Sequence, residues 1–300
     1  MSAPFPSPTK VWHTTSYPSI SPERQELSVA GKTVLVTGGG SGIGAETAYA
    51  FAIAGAARIG LLGRRLDPLF GTKARIERDL PDVEVYISST DATDQQAVDD
   101  AFNRFVGDTG KIDILISSAA VAGPPEGVGE VDTDKFLSTI DQNIKGSLHI
   151  AQAFVRHAIS DAVAINISSG AAHLNVGPGF AAYSVSKMAI YRLWDSLGYT
   201  SPGLRIFHVQ PGLVDTDMNR EAGGSKAMGF EDHVSLPAHF NVWLASPEAN
   251  FLKGRFSYAN WDVDELKARA EAIAGGLDFE IQMVGWPFGS SDESVPKWNT

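Results

Sequence analysis

Short apolar runs alternate with longer amphipathic stretches from about residue 32 to residue 260. The apolar runs predict strands over residues 32–38, 57–63, 83–90, 112–118, 162–169, 204–212 and 255–260. The first, fourth and fifth runs are almost continuously hydrophobic, which is typical of parallel strands covered on both faces. Apolar residues at helical spacing predict helices over residues 42–56, 94–106, 133–159 and 180–199. We therefore expect one α/β domain, a doubly wound parallel sheet of about seven strands flanked by helices.

The two ends of the chain do not follow this alternation. Residues 1–30 are rich in Pro and Ser, and we expect them to form an arm that is disordered or lies along the surface. Residues 31–260 then make up the main domain, and residues 261–300 a C-terminal helix and tail. In that last part, residues 262–273 have the pattern of an amphipathic helix, and residues 279–288 are suited to dock on a neighbouring subunit or a pocket rim.

Composition narrows the possible partners. The chain has 24 basic and 35 acidic residues, a net charge of −11, which argues against nucleic acid or an anionic membrane surface as the partner. The absence of cysteine excludes disulfides, thiolate metal sites and thiol nucleophiles. The seven histidines lack ligand spacing, so we expect no metal site.

The sequence also carries information on membrane spans and targeting signals. No apolar run reaches the roughly 20 residues that cross a bilayer. The N-terminal segment lacks the apolar core of a secretory signal, and because it is poor in arginine a mitochondrial transit peptide is the weaker alternative. We expect a cytoplasmic protein.

A glycine-rich turn follows the first predicted strand in the sequence VLVTGGGSGIG. Gly38, Gly42 and Gly44 come after Thr37 and immediately before a predicted helix. Such a turn lets the backbone approach a phosphate, and the helix N-terminus offers free N–H groups and a positive dipole end. The stretch therefore predicts a phosphate-binding turn.

The G-x-x-x-G-x-G spacing after Thr37 resembles the short-chain dehydrogenase/reductase family, in its TGxxxGIG branch. This resemblance implies a Rossmann-type fold and an oxidoreductase that transfers a hydride between a nicotinamide cofactor and a carbonyl or secondary alcohol. The cofactor contacts it implies are Thr37, Gly38, Gly40, Ser41, Gly42, Ile43, Gly44, Asp91, Ala92, Ser118, Ala119, Ala120, Tyr183, Lys187, Pro211, Gly212, Val214 and Thr216.

The residues after the second strand indicate which cofactor is bound. Gly63 stands where NAD-selective folds carry an acid, and Arg64 and Arg65 follow it. A guanidinium can meet a 2′-phosphate with two hydrogen bonds, so we expect NADP(H), with NAD(H) as the alternative. Ser41 counts against NADP(H), because many NADP-preferring relatives have a second basic residue there.

The end of the fourth strand departs from the family pattern. The family usually has Asn-Asn-Ala-Gly, whereas this chain has Ser117, Ser118, Ala119 and Ala120. Serine can replace part of the hydrogen bonding and alanine keeps the close packing. We expect altered cofactor affinity or local stability, without loss of activity.

Tyr183 and Lys187 are four residues apart on a predicted helix and so share one face. A nearby ammonium favours phenolate, so we expect Lys187 to lower the pKa of Tyr183 towards the working range. The resemblance implies that both are catalytic, together with Ser169 and Asn143. Because one extra residue separates the serine pair from the tyrosine, Ser168 is the alternative to Ser169.

The resemblance also implies a mechanism, with reduction as the favoured direction. Ser169 would hydrogen-bond the developing oxyanion, Tyr183 would donate the proton, and Asn143 with water would refill the proton path. The alternative is a non-redox protein on the same fold, either a cofactor-binding regulator or a cyclase-like enzyme. A serine hydrolase is not indicated, since no G-x-S-x-G motif occurs.

The walls of the substrate pocket carry no motif. Residues 216–237 form a polar, glycine-containing stretch that we predict to be a lid. An apolar small-molecule substrate is suggested by Gly179, Phe180, Met218, Met228 and Phe230. Family members are usually homodimers or homotetramers built through the helices around Asn143 and Tyr183, and we expect the same here.

Overall fold

All seven predicted strands lie in one parallel sheet. The computed structural model describes residues 5–177, 179–221 and 231–283. The strands are β1 (Thr33–Thr37), β2 (Arg58–Gly63), β3 (Glu84–Ser89), β4 (Ile112–Ser117), β5 (Ala158–Ile167), β6 (Arg205–Gln210) and β7 (Phe256–Tyr258). Their order is β3-β2-β1-β4-β5-β6-β7, and every neighbouring pair is parallel. The predicted doubly wound α/β fold is confirmed.

Helices cover both faces of this sheet. They are α1 (Gly42–Ile53), α2 (Leu66–Asp79), α3 (Gln95–Thr109), α4 (Thr133–His157), α5 (Ala181–Thr200), α6 (Asp217–Glu221), α7 (Ser235–Ala245), α8 (Val263–Lys267) and α9 (Ala270–Gly275). Successive residues of β1 point into different cores: Val34 and Val36 into the core with α1 and α7, Leu35 into the core with α3, α4 and α5. A strand buried in this way is apolar at every position, which explains the continuous hydrophobic runs.

The strand order places a crevice beside β1. The chain leaves β1 towards β2 on one side, while β4 pairs with the other side of β1. The connections after β1 and β4 therefore diverge above the carboxyl ends of the strands. Open parallel sheets bind ligands at such a switch point.

Three helices were not anticipated by the hydrophobic pattern: α2, α7 and the short α6, which lies within the stretch predicted to be a lid. Pro68 and Gly71 within α2 are poor helix formers, but Pro68 lies in the first turn, where a missing N–H costs no helical bond. Nine residues of α7 are buried, and they include Pro237, Asn241 and Trp243. A helix buried all round has no amphipathic pattern to detect.

The N-terminal arm packs against the C-terminal part of the domain. Trp12 forms an isolated β-bridge with Trp261, and Ile20 and Leu27 are fully buried in the main core. The Tyr17 hydroxyl donates to Trp261 O at 3.1 Å and accepts from Val263 N at 2.9 Å. Of the two alternatives expected for the arm, disorder does not hold for its described part, which lies along the domain and places Ile20 and Leu27 in the core.

The C-terminal segment also lies on this chain. The amphipathic helix predicted over residues 262–273 is divided into α8 and α9, because the chain turns at Arg269. Phe279 O accepts from Phe256 N at 2.8 Å, and Ile281 N donates to the Tyr191 hydroxyl at 3.2 Å. These contacts seat the start of the predicted docking segment on β7 and α5, and residues 284–288 are outside the described residues.

The predicted lid is only partly described. Residues 222–230, which include Met228 and Phe230, lie outside the described residues. The predicted loop ends earlier than residue 237, since α7 begins at Ser235. No helix in the described ranges is long and apolar enough to cross a membrane.

Because the arm is buried against the core, we expect it to contribute to the free energy of unfolding. Leu27→Ala should lower the free energy of unfolding by about 2–5 kcal/mol, because it opens a cavity at a side chain that is 0% exposed. Chemical denaturation of purified protein measures the change. Leu277→Ala is the matched control, because Leu277 is 47% exposed and should change stability by under about 1 kcal/mol. Equal effects of the two variants would show that the arm does not belong to the core.

Candidate active site

The glycine turn after β1 has a conformation that side chains would block. Gly38 and Gly42 have φ angles of +70° and +53°, in the left-handed region that favours glycine. A Cβ on Gly44 would lie 2.3 Å from the carbonyl oxygen of Gly38, so the first turn of α1 packs directly on the loop. The first N–H groups of a helix have no intrahelical partners. The turn therefore offers the backbone cradle that a phosphate needs.

A cleft of about 230 Å³ opens at the carboxyl ends of β1, β2 and β4, beside this turn. Eleven of the residues predicted as cofactor or catalytic groups line it: Thr37, Gly38, Gly40, Ser41, Arg64, Arg65, Asp91, Ala92, Ala119, Ala120 and Asn143. Gly42, Ile43, Gly44 and Ser118 are not among its lining residues. The fold thus brings the eleven predicted residues together around one cleft.

The two arginines after β2 are both exposed and make different contacts. Arg65 pairs with Asp217 of α6 at 3.5 Å. Hydrogen bonds from the Thr93 N–H and hydroxyl hold the pKa of Asp91 below its ordinary value, and the charge of Arg64 adds to the lowering. Arg64 therefore lies near the cleft wall that carries Asp91, whereas Arg65 reaches towards α6.

The end of β4, which departs from the family pattern, is tied to β1 through backbone N–H groups. The Thr37 hydroxyl accepts from Ser118 N at 3.0 Å and from Ala119 N at 3.3 Å, and it donates to Ile116 O at 3.4 Å. These bonds tie β4 to β1 without using the side chains of residues 118 and 119. The departure from Asn-Asn-Ala-Gly therefore leaves this connection intact.

Asn143 fastens the loop after β4 to α4. Its side chain is 6% exposed, with Oδ1 accepting from Val121 N at 2.9 Å and Nδ2 donating to Val121 O at 3.0 Å. Asparagine is unfavourable in the interior of a helix. Here its two hydrogen bonds to the backbone of Val121 offset that cost. The side chain thus shapes the wall of the cleft.

The structure brings Ser169, Tyr183 and Lys187 together beyond the end of β5. Ser169 lies close enough to Tyr183 to lower the pKa of its phenol, and Ser169 Oγ accepts from Ala171 N at 3.2 Å. Lys187 Nζ lies 5.5 Å from the centroid of the Tyr183 ring and donates to Ile167 O at 2.8 Å. Ser168 Oγ is buried without a hydrogen-bond partner among the described residues. Ser169, not Ser168, is therefore the serine next to the tyrosine.

Desolvation controls the ionisation of this pair. Burial raises the pKa of Tyr183 to about 12, against the lowering effect of the nearby Ser169 hydroxyl. Burial also lowers the pKa of Lys187 to about 8. The expected lowering of the Tyr183 pKa by Lys187 is therefore wrong. Burial penalises the charged form of each group and sets the direction of both pKa shifts.

The loop after β6, residues 211–216, lies near the glycine turn. A Cβ on Gly42 would be 2.9 Å from Thr216 Cγ2. Gly212 has φ +89°, and a Cβ there would be 2.6 Å from Asp232 Oδ2. Pro211 and Val214 are both buried within this loop. The four residues predicted for the nicotinamide end thus form one loop that approaches the turn after β1.

Three side chains that support the site were not found from the sequence. Asp232 accepts from Leu213 N at 2.7 Å, Asn260 donates to Asp232 at 3.0 Å, and Gln210 accepts from Gly170 N at 2.7 Å. Asp232 and Asn260 follow segments without a motif, so only folding brings them to the loop. For Gln210, its place at the end of β6 was the available signal.

The proposed pocket-wall residues and metal ligands can also be located. A Cβ on Gly179 would be 2.1 Å from Pro125 O, so this glycine permits a close contact between two loops. Phe180 and Met218 are half-buried. Over residues 5–177, 179–221 and 231–283, no group of three or more His, Cys, Asp or Glu is arranged to hold a metal.

A doubly wound parallel sheet, a glycine-rich turn at its switch point and a Ser–Tyr–Lys group define a dinucleotide-binding domain of the Rossmann type. The family model described as short chain dehydrogenase matches residues 32–226. The chain belongs to the short-chain dehydrogenase/reductase family, and an oxidoreductase is the class of enzyme this supports.

Similar proteins extend over nearly the whole chain. A short chain dehydrogenase/reductase, AacuD, of Aspergillus aculeatus is 32% identical over 277 residues, covering 92% of this chain and 95% of the relative. A short chain dehydrogenase/reductase of Claviceps purpurea is 33% identical over 274 residues, covering 90% and 91%. A solved dehydrogenase/reductase from Sinorhizobium meliloti is 28% identical with a TM-score of 0.70, covering 79% and 97%. A Burkholderia cenocepacia short chain dehydrogenase, solved in complex with NADP, shares the fold at 24% identity and a TM-score of 0.71, covering 79% and 99%.

The lowered pKa of Lys187 predicts a pH effect on stability. Between about pH 8 and 10.5 the unfolded chain holds a proton at Lys187 more often than the folded chain does, so the wild type gains stability as pH rises. Lys187→Met lacks this gain. Its stability relative to the wild type should therefore fall by up to about 3 kcal/mol from pH 7 to pH 10.

Urea denaturation at several pH values measures this difference. Lys111→Met is the control, because Lys111 is exposed, and its curve should stay parallel to that of the wild type. A difference between Lys187→Met and wild type that does not change with pH would contradict the desolvation argument.

Proposed function

We propose that the protein is an NADP(H)-dependent oxidoreductase that transfers a hydride between the cofactor and a carbonyl or secondary alcohol carbon, with reduction as the favoured direction. The observation that carries the proposal is the grouping of Ser169, Tyr183 and Lys187: Lys187 Nζ lies 5.5 Å from the centroid of the tyrosine ring, and Ser169 is close enough to Tyr183 to lower the pKa of its phenol. This group lies at the same carboxyl edge of the sheet as the glycine turn. Hydroxyl, phenol and ammonium groups in one pocket are suited to polarise a carbonyl and transfer a proton.

The residues around the turn fit a dinucleotide. A Cβ on Gly42 would collide with Thr216, and one on Gly44 with the carbonyl of Gly38, so glycine at both positions lets the turn pack tightly at the start of α1. The free N–H groups of this first helical turn are suited to a pyrophosphate. Asp91 and Ala92 line the cleft on the side where the adenosine would lie. The loop of Pro211, Gly212, Val214 and Thr216 would hold the nicotinamide end. A nicotinamide cofactor bound there supplies the hydride.

Each catalytic side chain has a role that its environment supports. Ser169 would donate a hydrogen bond to the substrate oxygen and stabilise the negative charge that develops there. Tyr183 would donate the proton. Its pKa of about 12 keeps the phenol protonated near neutral pH, which suits an acid in the direction of reduction. Lys187 would stabilise the phenolate that forms.

Asn143 completes the predicted tetrad by a positioning role. Both polar atoms of its side chain bind the backbone of Val121. This arrangement holds the loop after β4 next to the catalytic group. A proton path through water near Asn143 stays a prediction.

Arg64 supports NADP(H) as the cofactor. Gly63 leaves the end of β2 without an acid, and Arg64 lies near the cleft wall formed by Asp91. Arg65 is paired with Asp217, so Arg64 is the better candidate for the 2′-phosphate. Ser41 adds no charge, which keeps NAD(H) as the alternative.

Exposed apolar residues on two helices favour a homodimer or homotetramer. Leu137, Leu148 and Val155 lie along one stripe of α4, and Val185 and Met188 lie on α5. α4 packs against α5, so the two stripes belong to neighbouring helices. Apolar surface of this kind is typical of protein interfaces. An apolar small-molecule substrate and a cytoplasmic location stay proposals.

The reaction is tested with two serine variants and one tyrosine variant. Ser169→Ala should lower kcat by about 10²–10³-fold, because it removes the donor to the oxyanion. Tyr183→Phe should lower kcat by about 10²–10⁴-fold through loss of the acid. Ser168→Ala is the matched control and should change kcat by less than about threefold, since Ser168 Oγ has no hydrogen-bond partner among the described residues. The assay is NADPH oxidation with a panel of ketones and aldehydes.

The same assay separates the alternative function. Cofactor binding without turnover of any carbonyl, and without an effect of Tyr183→Phe, would indicate a non-redox protein. A larger loss in Ser168→Ala than in Ser169→Ala would overturn the assignment of the serine.

Cofactor choice is tested at the paired arginines. Arg64→Leu should raise the KM for NADPH by about tenfold or more, because a charge-assisted contact to phosphate is lost, and leave the KM for NADH nearly unchanged. Arg65→Leu should have the smaller effect, as Arg65 is engaged by Asp217. Comparable efficiency of the wild type with both cofactors would contradict the role of Arg64.

A further inference from the structure

Asp232 is a buried acid that the proposed mechanism does not use. It is 2% exposed and lies against the loop after β6. Its Oδ2 accepts from Leu213 N at 2.7 Å, and its backbone N–H donates to Leu213 O at 2.7 Å. Asp232 therefore binds both polar backbone groups of the residue between Gly212 and Val214.

The second oxygen of this carboxylate connects the loop to the N-terminal arm. Asp232 Oδ1 accepts from Asn260 Nδ2 at 3.0 Å. Asn260 Nδ2 also donates to His13 O at 2.8 Å, and His13 N donates to Asn260 O at 2.9 Å. A continuous set of hydrogen bonds thus runs from the arm through Asn260 and Asp232 to Leu213.

The arm end of this set is itself held in place. His13 Nε2 is 2.9 Å from Asp262 Oδ2, and the His13 ring stacks on Tyr17 with centroids 3.5 Å apart. Asn260 is 1% exposed, so the connection lies inside the protein. Buried polar groups connected in this way hold the segments that carry them in one arrangement.

The local geometry explains why the loop needs support. Gly212 is in the left-handed region at φ +89°, with Asp232 Oδ2 in the space where its Cβ would be. Without the carboxylate, the Leu213 N–H would lose its acceptor. A binding loop must be held by neighbouring groups to within a fraction of an ångström to position a reacting group.

We propose that Asp232 is a positioning residue for the loop of residues 211–216, and that the N-terminal arm, acting through Asn260, belongs to the cofactor site. The inference rests on the proposed function, because it takes this loop as the one that holds the nicotinamide end. Asp232 acts through Leu213 and does not touch the reacting atoms. Burial raises the pKa of Asp232, while the hydrogen bonds from Leu213 and Asn260 lower it.

The test compares binding of the whole cofactor with binding of its adenosine half. The ligands are NADPH and adenosine 2′,5′-bisphosphate, which lacks the nicotinamide. Asp232→Ala should weaken NADPH binding by about tenfold, which corresponds to about 1.4 kcal/mol, and leave the binding of the fragment unchanged. Asp232→Asn keeps a carbonyl acceptor for Leu213 N–H and should recover part of the loss. Isothermal titration calorimetry measures both dissociation constants.

The role of the arm is tested at Asn260. Asn260→Ala should weaken NADPH binding in the same direction by about threefold, since it removes the hydrogen bonds from Asn260 Nδ2 to Asp232 and to His13 O but leaves Asp232 itself in place. Asn241→Ala is the control for lost stability, because Asn241 is fully buried on α7 and donates to Thr47 Oγ1 at 3.1 Å. In Asn241→Ala, the ratio of the NADPH affinity to the affinity for adenosine 2′,5′-bisphosphate should equal that of the wild type.

Each outcome decides the proposal. An unchanged NADPH affinity in Asp232→Ala, or equal weakening of NADPH and the fragment, would overturn the positioning role. If the ratio of NADPH affinity to fragment affinity is unchanged in Asn260→Ala, the arm does not belong to the cofactor site. Wild-type protein that binds NADPH without any turnover would overturn only the proposed reaction, because the Asp232 series needs binding alone. Wild-type protein that does not bind NADPH would overturn both.

Discussion

Burial of both faces of the parallel sheet is the constraint on which the other features depend. Val34 and Leu35 of β1 point into different cores, so helices must cover both sides. The crossing helices return every strand in the same direction, and all carboxyl ends therefore meet at one edge. The glycine turn, the end of β4, Ser169 and the loop after β6 all lie at that edge. The site is a consequence of how the sheet is covered.

The same burial governs the ionisation of Tyr183 and Lys187. Desolvation raises the pKa of Tyr183 and lowers that of Lys187, so the pocket favours a neutral phenol and weakens the ammonium. Only groups that approach closely can oppose this cost. In this structure the Ser169 hydroxyl is the contact that opposes it for Tyr183. A phenol that stays protonated near neutral pH therefore follows from burial as much as from sequence.

The N-terminal arm changes how the domain should be delimited. The family match begins at residue 32, yet Ile20 and Leu27 are fully buried in the main core. The arm also contacts Asn260 and Asp262, which flank the end of the sheet. The division of the chain at residues 30 and 260 stays a prediction, but the core itself crosses both boundaries.

Local patterns in the sequence determined the seven strands, four of the helices, the glycine turn and the shared face of Tyr183 and Lys187. These features depend on residues a few positions apart, where backbone geometry alone sets the spacing. Tertiary structure decided the buried helix α7, which serine meets Tyr183, the direction of the tyrosine pKa and the place of Asp232. Each of these depends on burial or on partners far apart in the chain, as His13 and Asn260 are 247 residues apart. Hydrophobic periodicity records which face of an element is buried, whereas only the folded chain determines what it is buried against.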